Sequence, residues 1–257
     1  MRAVDINIKT ESGGFTMLRD CFRHNLKFYS QEALGLGIFM VSACFFSGIL
    51  FGENGYLVTI LPANYRQILL GMMMGLTALY IFYSPLTSPS GSHINPAVTL
   101  SFFRLGKIGF PDTIFYIVFQ FAGATLTVYL MAALMHGNLS NAPVHDVVTI
   151  PGKYGTTAAA FTELLIAFIM MGMVLFTADH RVLKKYSRIF AAMLVCLFVI
   201  VAGPVSGFGM NPARSFASAL PANIWTSFWI YLFMPLIGML GATEFYIFVR
   251  RRKSGDS

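Results

Sequence analysis

Two stretches, SGSHINPAVTLSFF at residues 90–103 and SGFGMNPARSFASAL at residues 206–220, decide how this chain folds. Both read S-G-x-x-x-N-P-A. Asn is a good helix N-cap, and Pro fits the first helical position, where its missing N–H would have had no partner in any case. The pattern predicts helices over 97–104 and 213–220. Neither can cross a bilayer, whose hydrocarbon core needs about 20 apolar residues.

The segments around them can. Six apolar runs, at 29–51, 67–83, 113–135, 158–178, 189–203 and 228–249, are long enough for spans, the fifth being short and expected to end at Pro204. Of the 257 residues, 56% are hydrophobic and only 11% are charged, against about 25% charged in a soluble domain. The composition excludes a cytosolic globule and a disordered chain. It points to an all-α membrane protein with the bilayer as its main partner. The net charge of +7 comes with no basic domain or zinc-finger spacing, so nucleic acid is not expected as a partner. The three cysteines form neither a disulfide framework nor a metal cluster, and no metal or cofactor is expected.

Each motif falls after the second span of a three-span half, about 29–135 and about 158–249. Three is odd, so the halves insert with opposite orientation, as an inverted repeat. Two half-helices then enter from opposite faces and meet near the midplane with their partly positive N-terminal ends. Non-helical backbone at that depth is tolerated only where protein or a water-filled cavity lines it. Glu32 opens the first span and Glu163 lies early in the fourth, a second mark of the repeat.

With six spans, both termini share a side. That side carries 15 of the 18 basic residues, leaving Arg66, Lys153 and Arg214 for the remainder, so both termini are expected in the cytoplasm. Within the N-terminal segment 1–28, Arg19, Arg23 and Lys27 recur every fourth residue beside Leu18, Phe22 and Leu26. This reads as a short interfacial helix. The tails 1–14 and 252–257 read as disordered, the latter within a basic cytoplasmic segment, 250–257. No cleaved signal peptide is expected.

The doubled N-P-A box resembles the aquaporin, or major intrinsic protein, family over about residues 29–249. The resemblance implies six transmembrane helices plus two re-entrant half-helices. Its implied function is a passive water channel that excludes ions and protons, assembled as a homotetramer in the plasma (cell inner) membrane. Selectivity then rests on pore width and lining hydrogen-bond groups, for which aquaporins are themselves the usual illustration. Asn95, Pro96, Ala97 and Asn211, Pro212, Ala213 are the expected pore motifs. The two asparagine amides would donate to water passing in single file.

By the same resemblance Arg214 is the arginine of the selectivity constriction, and an arginine at membrane depth is functional by default. The other expected members are Phe208, Val199, and Met74 or Gly75. Phe208 matches glycerol-conducting relatives, whereas strict water channels carry His at the Val199 position. Ser215, Ala219 and Tyr231 match the water pattern. An aquaglyceroporin-like facilitator of glycerol or other small neutral solutes is therefore the alternative.

Glu32 and Glu163 would support the re-entrant loops, Glu32 at the loop carrying His93. As proton-relay carboxylates they would instead suit a proton-coupled carrier. His93 reads as a satisfied loop residue, with pH gating as the sharper alternative. Glu244 is expected to reach toward Arg250–Arg252. Gly71 and Gly75, Gly35 and Gly37, and Gly238 and Gly241 mark close helix crossings. No nucleophile–base pair or phosphate loop is present, so an enzyme is not expected.

Overall fold

A computed structural model describes residues 14–53 and 55–254 of the chain, with side chains from 18 to 252. Its helices are α1 (Gly14–Phe51), α2 (Tyr56–Ile60), α3 (Ala63–Tyr83), α4 (Pro96–Arg104), α5 (Phe110–Met135), α6 (Gly137–Ser140), α7 (Gly155–Asp179), α8 (Ser187–Ser206), α9 (Pro212–Ala222) and α10 (Phe228–Ser254). Six of them, α1, α3, α5, α7, α8 and α10, are long and apolar enough to span a membrane. The half-helices α4 and α9 carry the two motifs, each with Pro in its first turn.

Three boundaries differ from expectation. Residues 17–28 are not a separate interfacial helix, because α1 runs without a break from Gly14 to Phe51. On its inner face Cys21, Asn25 and Tyr29 all donate to Asp112 Oδ1 at the start of α5, at 3.1, 2.9 and 2.5 Å. Those three bonds hold the helix upright against the bundle, leaving Arg23 and Lys27 exposed. At the other end of the chain, residues 252–254 continue α10; the tails 1–13 and 255–257 lie outside the described residues. Finally, Pro204 does not end the fifth span. It lies inside α8, which closes at Gly207 in the left-handed region (φ 81°).

The packing repeats across the two halves. Helix α1 pairs with α5 as α7 pairs with α10, and α3 meets its counterpart α8 at the centre. Each half-helix leans chiefly on the last span of the opposite half, α4 on α10 and α9 on α5. Small residues allow this. A Cβ at Gly71 or Gly75 would collide with α8, the latter at 2.7 Å from Cys196 Cβ. Gly123 lies against the Ala33 backbone of α1, and Gly238 against the Leu164 carbonyl of α7. Gly35 packs on the Ile94 side chain of the first pore loop instead of on a helix, and Gly241 has only ordinary contacts. Glu244 also finds a different partner. It pairs with Arg104 at the end of α4, 2.5 Å away, while Arg250 pairs with Asp179.

Candidate functional site

The residues before each half-helix form two loops with one backbone shape. Gly91 and Gly207 have φ of 97° and 81°, Ser92 and Phe208 have 50° and 52°, and Ile94 and Met210 have 42° and 48°. Left-handed φ is unfavourable for residues with a Cβ and persists only where the surroundings enforce it. Here a buried carboxylate does so in each half. Glu32 accepts from Ser90 Oγ (2.6 Å), His93 N (3.0 Å), Ile94 N (2.6 Å) and Gln120 Nε2 (2.8 Å). Glu163 accepts from Ser206 Oγ (2.6 Å), Gly209 N (2.8 Å) and Met210 N (2.5 Å). A tyrosine from the last span of each half closes the arrangement. Tyr116 donates to the Ser90 carbonyl at 2.8 Å, and Tyr231 to the Ser206 carbonyl at 2.7 Å.

So held, the loops present their asparagines to one another. Asn95 Oδ1 caps α4 by accepting from Ala97 N (2.9 Å), while its Nδ2 donates to the Met210 carbonyl (2.8 Å). Asn211 Oδ1 accepts from Ala213 N (3.0 Å) and Arg214 N (3.2 Å), and its Nδ2 donates to the Ile94 carbonyl (2.6 Å). One N–H of each amide therefore ties the two halves together. A primary amide has two, and both asparagines line a cavity.

Two cavities lie along this axis. One, of about 350 Å³, lies on the α9 side and contains Met74, Val199, Phe208 and Arg214 in its wall. The other, of about 170 Å³, contains His93, Asn95 and Asn211 and opens toward Ser187 and Arg188. Each has room for several waters. Between the two α3 candidates the geometry separates Met74, in the cavity wall, from Gly75, which faces α8. Arg214 is buried, yet its Nε and Nη1 have no protein partner. Buried donors of this kind are ordinarily satisfied, and Arg214 as a whole forms part of the larger cavity's wall. His93 contacts Thr99 Oγ1 through Nδ1 (3.2 Å) and stacks on Phe102 at 4.7 Å, leaving Nε2 without a protein partner.

Sequence reasoning missed several groups. Phe39 and Gln67 line the larger cavity, together with residues 143–144 and 147–148 of the connecting loop. The loop-closing roles of Tyr116 and of Tyr231, the latter expected only to match the water pattern, had a usable signal, because each stands seven residues before a glycine at a helix crossing, Gly123 and Gly238. Gln120 has no counterpart in the second half, where Pro235 stands four residues after Tyr231.

Comparison with known proteins agrees with this geometry. The family model described as Major intrinsic protein matches residues 23–246. Curated relatives include Aquaporin NIP2-2 of Zea mays, 35% identical over 63% of this chain and 53% of that one. Aquaporin NIP1-1 of Arabidopsis thaliana is 34% identical over 70% and 62%. Nodulin-26 of Glycine max is 29% identical over 85% and 76%. The matched part of this chain thus spans little more than half the length of the NIP relatives. Among solved structures, the aquaglyceroporin from Plasmodium falciparum superposes with a TM-score of 0.71 at 22% identity, covering 90% of this chain and 99% of that one, which establishes a shared fold. With six membrane-spanning helices, two N-P-A half-helices meeting end to end and a family match along nearly its whole length, the chain belongs to the major intrinsic protein family, the aquaporin channels.

Proposed function

We propose that the chain forms a passive pore for small uncharged molecules, with water and glycerol-sized solutes both among its permeants. The observation that carries this is the wall of the larger cavity. Met74, Val199 and Phe208 supply an apolar side and the Arg214 guanidinium a charged, polar one. A molecule with hydroxyls along one edge and C–H groups along the other suits such a wall better than a water-only filter would. The likeness in fold to an aquaglyceroporin, and relatives of the NIP type, are in keeping with it.

The mechanism follows from the donors. Passing oxygens accept hydrogen bonds from Arg214, Asn211 and Asn95 in turn, which replaces part of the lost hydration. A water that gives its oxygen to both asparagines cannot extend a continuous proton chain. The positive ends of α4 and α9 and the Arg214 charge repel cations. Glu32 and Glu163 do not form part of either cavity wall, and their oxygens are engaged by the loops, which favours passive flow over a proton-coupled carrier.

Since both cavities lie within one chain, each subunit of a homotetramer would conduct independently. The basic ends of α1 and α10 would face the cytoplasm of a cell bounded by a plasma membrane. Stopped-flow light scattering on one batch of proteoliposomes tests the reading. Water and glycerol should both cross faster than in protein-free vesicles, with a low activation energy. Accelerated water with glycerol at the control rate restricts the pore to water; neither accelerated refutes a channel.

A further inference from the structure

Among the described residues, Phe39 and Phe208 are the two side chains that form part of both cavity walls. They therefore stand where the two cavities join. Phe208 lies in the second pore loop, but Phe39 comes from the middle of α1, outside both N-P-A motifs. Its place follows from the repeat. Phe39 lies seven residues after Glu32, two helical turns or about 10 Å along α1. Seven residues after Glu163 stands Met170 on α7. The inverted repeat thus sends one side chain from each half toward the pore at matching depth. Met170 reaches the smaller cavity alone, whereas Phe39 reaches both.

The difference in chemistry matters at a narrow point. Methionine has three rotatable bonds and adapts to what passes. A phenylalanine ring is rigid and bulky, and this one is nearly buried at 9% exposure, so it has little space to swing aside. Below it Leu36, and above it Ala43 and Ser47, continue the same face of α1 along the cavities. Phe39 is the largest group on that face at the junction.

We propose that Phe39 is a specificity-determining residue, whose ring opposite Phe208 sets the upper size of uncharged solute that crosses from one cavity to the other. This rests on the reading of the chain as a solute-conducting pore. The ring offers no hydrogen bond, so a permeant passes it with C–H groups turned toward it and hydroxyls toward Arg214 and Asn211. Solutes longer or wider than glycerol are slowed at this point.

The test measures water, glycerol and a five-carbon polyol in proteoliposomes of the wild type and of Phe39→Ala, Phe39→Leu and Phe39→Trp. Flux is normalised to inserted protein and expressed as the ratio of polyol to water. Phe39→Ala should raise the five-carbon ratio about tenfold, the change given by a barrier lowered by ~1.4 kcal/mol. Phe39→Leu should raise it less, and Phe39→Trp should lower the glycerol ratio. Phe45→Ala, the same change on a lipid-exposed part of α1, should leave all ratios at wild-type values. If Phe39→Ala does not insert, Phe39→Leu and Phe39→Trp decide. Wild-type ratios in every inserted Phe39 variant overturn the inference while leaving the channel standing. Wild-type vesicles no more permeable than empty ones overturn the channel itself.

Discussion

Replacing Glu163 with Gln isolates what a buried carboxylate does for the second pore loop. The change keeps shape and length. Glu163 Oε1 receives Ser206 Oγ and Gly209 N, and Oε2 receives Met210 N at 2.5 Å. In glutamine one of these oxygens becomes an NH2 group. If the amide keeps its oxygen toward Ser206 and Gly209, its NH2 confronts the Met210 N–H, donor against donor. The opposite flip sets the NH2 against the Gly209 N–H instead and turns the Ser206 hydroxyl to the Ala202 carbonyl. The smaller loss is one hydrogen bond to a charged group, worth about 1.5–3 kcal/mol, together with a buried backbone N–H left unpaired. A destabilisation of about 3 kcal/mol follows, or roughly 6–12 °C in melting temperature for a chain of this size.

A thiol-reactive dye in detergent gives the readout, because Cys21 and Cys44 are buried and become accessible on unfolding. Per-channel water flux should fall as well, since Asn211 and Arg214 follow the loop directly. A melting temperature within roughly 2 °C of wild type, a shift of less than 1 kcal/mol, with unchanged flux would show that the carboxylate does not hold the loop.

Three other expectations bear on different parts of the site. Arg214→Val should speed solutes larger than glycerol and let cations leak, read as the collapse of an imposed ion gradient in proteoliposomes; an unchanged leak removes Arg214 from the barrier. Asn95→Ala removes both a cap, worth ~1 kcal/mol, and the donor to the Met210 carbonyl, whereas Asn95→Asp keeps the cap and sets oxygen against oxygen across the loops. Thermal unfolding should show both variants well below wild type, and a wild-type-like Asp variant refutes the cross-loop bond. Gly75→Val should prevent close approach of α3 and α8, an overpacking of roughly 1–3 kcal/mol, seen as aggregation in size-exclusion chromatography. Gly241→Ala, with nothing closer than 3.8 Å, should elute normally.

What the sequence made legible follows a physical division. The half-helices were readable because capping is local chemistry: Asn, Pro and a small residue in order specify a helix start wherever they occur. The spans were readable because thickness sets length. Phe39 was obscure, and Met74 could not be told from Gly75, because pore-facing and lipid-facing side chains are both apolar here. A helix apolar all round has no moment to point inward. Residues 17–28 misled for the opposite reason. Their basic residues suit an interface, but what fixes the helix is the row Cys21, Asn25 and Tyr29, whose common partner Asp112 lies far along the chain. Glu244 likewise pairs with Arg104, which is distant in sequence and which the fold brings beside it.

The reciprocal amide bonds between the loops also bear on biogenesis. Until Met210 has left the ribosome, the Asn95 amide lacks its acceptor, and until Asn211 follows, the Ile94 carbonyl lacks its donor. The first half can cross the bilayer during synthesis, but its loop must wait, incompletely satisfied, for a segment made more than a hundred residues later. A nascent chain arrested just before that point would hold the spans α1, α3, α5, α7 and α8 and no finished pore. The membrane is thereby protected from half-built channels, because the pore is completed only when the second loop arrives.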